Sequence, residues 1–194
     1  GGSGSNNESG EYLPPIVLND PSFVNTAADC VKQKVDQGNI INDLLAGFQL
    51  NKSKINVTFK VGQLDSISAN GRCTYNKISQ KMEIIIDQER LKAPSIELAR
   101  TILHECFHAY IYGKIHQEEI HNGLGPEPNF SKDWKQYKLQ YGDTAQHFYM
   151  ANKYMKHMKE GLEDYFFLNE NSSEREIFMN HVSGNDYWKG VDSF

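Results

Sequence analysis

The chain has 194 residues, 39% hydrophobic and 23% charged. That is the size and balance of one globular domain whose core closes without disulfide or metal staples. Twenty basic residues against 25 acidic ones give a net charge of −5, which argues against a general nucleic-acid binder, because phosphates require a basic face. No run approaches the roughly 18 apolar residues that span a bilayer, so no membrane span is expected.

Residues 1–11, beginning Gly1-Gly2-Ser3-Gly4-Ser5, read as a flexible linker or expression scar, and 12–194 as one domain. Pro14-Pro15 and Asp20-Pro21 punctuate an extended segment. Ala27, Cys30, Val31 and Val35 fall at helical spacing, and Gly38 stops the run. Ile40, Ile41, Leu44, Leu45 and Phe48 make a second amphipathic helix. Ile55, Val57, Phe59 and Val61 alternate as a half-buried strand does. Asn70-Gly71 signals a turn, with a second strand through Cys73, Tyr75 and Ile78. Lys81 to Asp87, holding Met82, Ile84, Ile85 and Ile86, is a third. The three are expected to form a small antiparallel sheet.

Pro94-Ser95 starts a helix that should run to about Tyr112 and end at Gly113. A loop over 114–130 and a short helix from Lys132 to Gln140 follow. Asp143 or Thr144 then caps one long helix to about Phe167. Asn169 to Ser173 breaks it before a last short helix near 174–181. Helices, then strands, then helices give an α+β class.

One motif carries chemistry. His104-Glu105-Cys106-Phe107-His108 is H-E-x-x-H inside a predicted helix. Two histidines four residues apart project from one face, so both imidazoles reach one Zn²⁺ ion. A catalytic zinc keeps a position for water and lowers its pKa toward about 7. Glu105 can take that water's proton and pass it to a leaving amine. A third ligand is needed. His147 opens the inward stripe Met150, Ala151, Tyr154, Met158, Leu162 and Tyr165, which makes it the leading candidate; His121, His116 and Glu170 stay open. Cys106 faces away from the two histidines and reads as a core residue. Tyr149 or Tyr154 lies close enough to His147 to donate to a developing oxyanion, although core packing is their default. Cys30, Cys73 and Cys106 form no CxxC pair, which excludes a zinc ribbon. A Cys30–Cys73 disulfide and three free thiols both remain open.

The stretch Thr101-Ile102-Leu103-His104-Glu105-Cys106-Phe107-His108-Ala109-Tyr110, with Gln146-His147-Phe148-Tyr149-Met150-Ala151-Asn152-Lys153-Tyr154 downstream, resembles the SprT-like zinc metallopeptidases of Bacteroidota. These carry a T-I-[IL]-H-E-x-x-H-A-Y helix and a later Q-H-E-x-M-A-x-x-Y helix; Phe148 replaces the usual acidic residue. The likeness spans about Phe23 to Val182. It implies a zincin-like fold, zinc held by His104, His108 and His147, and Glu105 as general base. It also implies that Lys81–Asp87 is the sheet edge that pairs with an extended protein or peptide substrate. Relatives that act near DNA carry their third histidine in H-G-x-x-F. Here His121 precedes Asn122-Gly123, so that role is not implied. Family members occur as lipoproteins and as terminal domains of secreted toxin-like proteins. A secreted or extracytoplasmic setting, with a cognate immunity or inhibitor protein, is the corresponding expectation. The function expected is therefore hydrolysis of peptide or amide bonds by a zinc-activated water. The alternatives are a zinc amidase acting on cell-wall peptides and a non-catalytic binding module stabilised by zinc.

Overall fold

The alternation at Ile55, Val57 and Phe59 buries these side chains completely, and Met82, Ile84 and Ile86 do the same from the neighbouring strand. In the computed structural model, which describes residues 17–49, 55–64, 69–116 and 129–169, they belong to a four-stranded sheet. Its strands are β1 (Val17–Asn19), β2 (Asn56–Gly62), β3 (Gly71–Asn76) and β4 (Lys81–Asp87), in the order β1-β2-β4-β3. β4 pairs parallel with β2 along its whole length, from Asn56↔Lys81 to Gly62↔Asp87. β1 also joins β2 in parallel, and only the β3–β4 hairpin is antiparallel. The sheet is thus mixed, not antiparallel. Period-2 alternation fixes the face each strand buries but carries no information on its direction. The chain crosses to the far edge after β2 and returns through the hairpin, so β4 enters the middle of the sheet.

The hairpin also ends β3 earlier than the sequence suggests. The Asn76 side-chain oxygen accepts from the backbone N–H groups of Ile78 (3.0 Å) and Ser79 (3.1 Å), and Gln80 takes φ +49°. This local bonding makes a turn and leaves Ile78 98% exposed at its tip, outside the strand where it was expected.

Helices α1 (Ala27–Val35) and α2 (Asn39–Gln49) form where the periodicity places them. The Thr26 hydroxyl caps α1 by accepting from the Asp29 N–H at 3.2 Å. The buried stripe of α1 is Ala28, Val31 and Val35, whereas Ala27 and Cys30 face outward. Asp29 is buried and satisfied: its carboxylate accepts from the Asn25 N–H (2.9 Å), the Asn19 amide (3.3 Å) and the Gln33 amide (3.2 Å). These bonds tie α1 to the end of β1.

The central helix α3 (Ser95–His116) is buried on almost every side, through Leu98, Ala99, Ile102, Leu103, Cys106 and Phe107. It runs past Gly113, which was expected to end it. Gly113 does not take the positive φ of a C-terminal cap. It lies buried within the helix while Tyr112 and Ile115 continue to pack on the core. Beyond it come α4 (Phe130–Tyr141), α5 (Ala145–Lys153) and α6 (Met155–Asn169). One helix was expected where α5 and α6 lie. The joint is Tyr154, at φ −118° and ψ 0°, with its ring held against Phe107 and Tyr110 at 5.4 and 5.5 Å between centroids. Aromatic packing at this residue outweighs helix regularity, and Ala151, expected on the buried stripe, is exposed. The short helix expected near 174–181 lies outside the described residues. No helix among the described residues is long and apolar enough to cross a membrane.

α6 reaches α3 closely because Gly161 has no side chain. A Cβ there would stand 3.1 Å from Leu103 Cδ2 and 3.3 Å from Ile40 Cβ. Gly161→Val should therefore lower the unfolding free energy by about 2 kcal/mol, measured by urea denaturation, with the secondary structure retained.

Candidate metal centre

His104 and His108 lie one turn apart on α3, and α5 brings His147 against them. Their Nε2 atoms are 3.1 Å apart from His104 to His108, and again 3.1 Å apart from His108 to His147. The three ligand atoms all fall within 4.8 Å of one another. Tetrahedral zinc with Zn–N bonds near 2.05 Å spaces its nitrogens about 3.3 Å apart, so the donor set fits such an ion. A second bond orients the set. Gln146, the residue before His147, accepts a hydrogen bond at 2.5 Å from His108 Nδ1–H. An amide oxygen can only accept, so Nδ1 carries the proton and Nε2 presents its lone pair to the centre. Burial lowers the pKa of all three imidazoles, His108 to about 4. They are neutral at pH 7, the state a metal requires.

Glu105 sits beside the cluster, 5% exposed. Its place depends on β3. The Cys73 backbone N–H donates to its carboxylate. Gly71 lets the strand close on the helix: a Cβ at this position would stand 2.9 Å from Thr101 Cγ2, 3.0 Å from Glu105 Cγ and 3.1 Å from Glu105 Oε1. Without an ion, burial raises the Glu105 pKa to about 8, against the opposing pull of the Cys73 N–H and the charge on Arg72. A divalent cation nearby would favour the ionised form.

The three histidines and Glu105 form one wall of an open cleft of about 590 Å³, with Arg72, Arg100, Tyr112 and Trp134 around it. Of the other ligand candidates, His116 lines the cleft but stands outside the cluster, with its ring stacked on Tyr75 at 4.4 Å. His121 and Glu170 lie outside the described residues. Cys106 is fully buried in the core, as its position on the helix predicts. All three cysteines are free thiols, and burial raises the pKa of both Cys73 and Cys106, which makes them poor nucleophiles.

Two expectations need correction. Tyr149 and Tyr154 do not reach the cleft. They are buried in an aromatic cluster, with Tyr149 packed 5.6 Å from Phe130 and 5.2 Å from Tyr137. The tyrosine on the cleft is Tyr112, which lines it together with Gln146. Its signal in the sequence is the interval of four that links His104 to His108, repeated once more along the same helix face. Nor is Lys81–Asp87 the sheet edge. β4 is central, and β3 is the edge strand that lies against α3.

No family model matches the chain, and neither curated proteins nor solved structures give a match.

The protein should bind one zinc ion per chain. His147→Ala should weaken binding by at least 100-fold, Gln146→Ala by 10- to 100-fold, and His116→Ala should leave it unchanged, all measured with a competing chelator. The metal-free protein should be most stable near pH 6.5. Below that value the unfolded chain takes up protons that the three clustered imidazoles resist, so stability falls toward pH 4. Above it, the unfolded Glu105 is already ionised while the folded one holds its proton to about pH 8, so stability falls again. Thermal unfolding in chelator across pH 4–8 checks this.

Proposed function

We propose that the chain is a zinc-dependent hydrolase of peptide bonds. The observation that carries this reading is the convergence of three imidazole Nε2 atoms, that of His108 standing 3.1 Å from each of the other two, beside a buried carboxyl on an open cleft. His104, His108 and His147 would hold a zinc ion, which would supply the Lewis acidity that brings water's pKa near 7.

The remaining chemistry belongs to the chain. The Glu105 carboxylate accepts a proton from the attacking water as its oxygen bonds to the carbonyl carbon. It returns that proton to the nitrogen as the C–N bond breaks. A divalent cation beside Glu105 would hold it as the carboxylate that takes the proton, while burial raises its affinity for that proton against this pull. Tyr112 lines the same cleft, and we assign to its O–H the donation to the oxygen on which negative charge develops. Gln146 orients His108 through its side-chain oxygen. A structural zinc site would have no use for a buried glutamate or for an open cleft, and this favours catalysis over a zinc-stabilised binding module.

At equal zinc occupancy, Glu105→Gln should lower kcat by about 1,000-fold or more. Tyr112→Phe should lower kcat by about 100-fold with KM changed less than threefold. Hydrolysis of a quenched fluorescent peptide library by wild type and both variants measures these effects. Equal rates for wild type and Glu105→Gln would exclude the hydrolase reading.

A further inference from the structure

Gln146 and His147 stand in the first turn of α5, and the corner just before that turn decides where it points. α4 ends at Tyr141 and α5 begins at Ala145. Between them Gly142 takes φ +56° and ψ −123°, the dihedrals of the first central residue in a type II′ turn. Residues with a Cβ are disfavoured there, whereas glycine enters freely. Space does not account for the glycine, because a Cβ at this position would meet nothing within 4 Å. The backbone conformation alone calls for it.

Local bonds close the corner. The Gly142 N–H donates to the Lys138 carbonyl. The Thr144 hydroxyl donates to the Tyr141 carbonyl at 2.8 Å, and so makes no cap bond to α5, where one was expected. The Lys138 ammonium donates to the Asp143 carboxylate at 3.1 Å. Past the corner α5 packs on α4, with Phe148 stacked on Tyr141 at 4.0 Å and Tyr149 against Tyr137 at 5.2 Å between centroids. Its far end is fixed at Tyr154, whose ring packs on Phe107 and Tyr110. Only nine residues lie between these two ends, so the corner sets the place of the first turn. We propose that Gly142 is a positioning residue of the metal centre: its backbone aims α5 so that Gln146 meets His108 and His147 completes the ligand set. This rests on the metal-centre reading above and extends it to a residue that supplies no ligand.

The test requires no turnover. Wild type is compared with Gly142→Asn, Gly142→Ala and Gly142→Val in the whole chain. Zinc affinity is measured with a competing chelator. In the metal-free protein, NMR follows the His108 Nδ1–H proton, which its bond to Gln146 shelters from exchange with water. Asparagine enters positive φ more readily than alanine, and β-branched valine least readily. Affinity should therefore fall about threefold for Asn, about tenfold for Ala and about 100-fold for Val. The His108 signal should weaken in the same order. A steric effect would instead make alanine the mildest change. Unchanged affinity in all three variants, an order that follows side-chain size, or a His108 signal that persists unaltered in the series overturns the proposal. Circular dichroism checks the folding of each variant, and the Asn–Ala pair decides the matter if valine unfolds the chain. Zinc binding that His147→Ala leaves unchanged would remove the metal-centre reading itself. Binding lost with His147→Ala but kept throughout the Gly142 series would remove this inference alone.

Discussion

Three imidazole lone pairs directed into one small volume repel one another unless a proton or a metal ion stands between them. At His104, His108 and His147 the spacing is 3.1 Å across each of two pairs, and burial discourages the proton. The fold is organised to impose this arrangement. α3 is gripped by the sheet on one side and by α1, α2 and α6 on others, so its two histidines cannot turn away. α5 is short and bends at Tyr154, which anchors its C-terminal end in an aromatic core and leaves its first turn, with Gln146 and His147, facing α3. The same packing that stabilises the domain holds three donors in place in advance of any ion, and this lowers the ordering cost of binding one.

Glu105 is placed by an independent contact. Nothing in H-E-x-x-H dictates where the glutamate points beyond the helix itself. Here β3 decides it, through the missing side chain of Gly71 and the backbone N–H of Cys73. The edge strand is therefore part of the site, since it positions the Glu105 carboxyl.

The parts legible in the sequence are those set by local periodicity. Helices α1, α2 and α3, the buried faces of β2 and β4, and the shared helix face of His104 and His108 all follow from repeats of 2 or 3.6 residues. His147 was legible because it begins a stripe of which Met150, Tyr154, Met158, Leu162 and Tyr165 pack in the core. What was not legible depends on contacts between distant segments. Strand direction is one case, since parallel pairing of β2 with β4 requires a crossover that no side-chain pattern records. The division of α5 from α6 is another, because Tyr154 answers to Phe107 and Tyr110 rather than to its sequence neighbours. Gly113 misled for a related reason: burial of its flanks carried the helix through a residue that often ends one. Choosing Tyr112 over Tyr149 and Tyr154 required knowing which faces of α3 and α5 border the cleft.

The most direct measurement is X-ray absorption at the zinc edge on the zinc-loaded protein, beside its His147→Ala variant. Three imidazole nitrogens and one water oxygen at about 2.0–2.1 Å are expected in the wild type, with one nitrogen shell contribution lost in the variant. A spectrum with sulfur at about 2.3 Å, or one identical in the two proteins, would contradict the account.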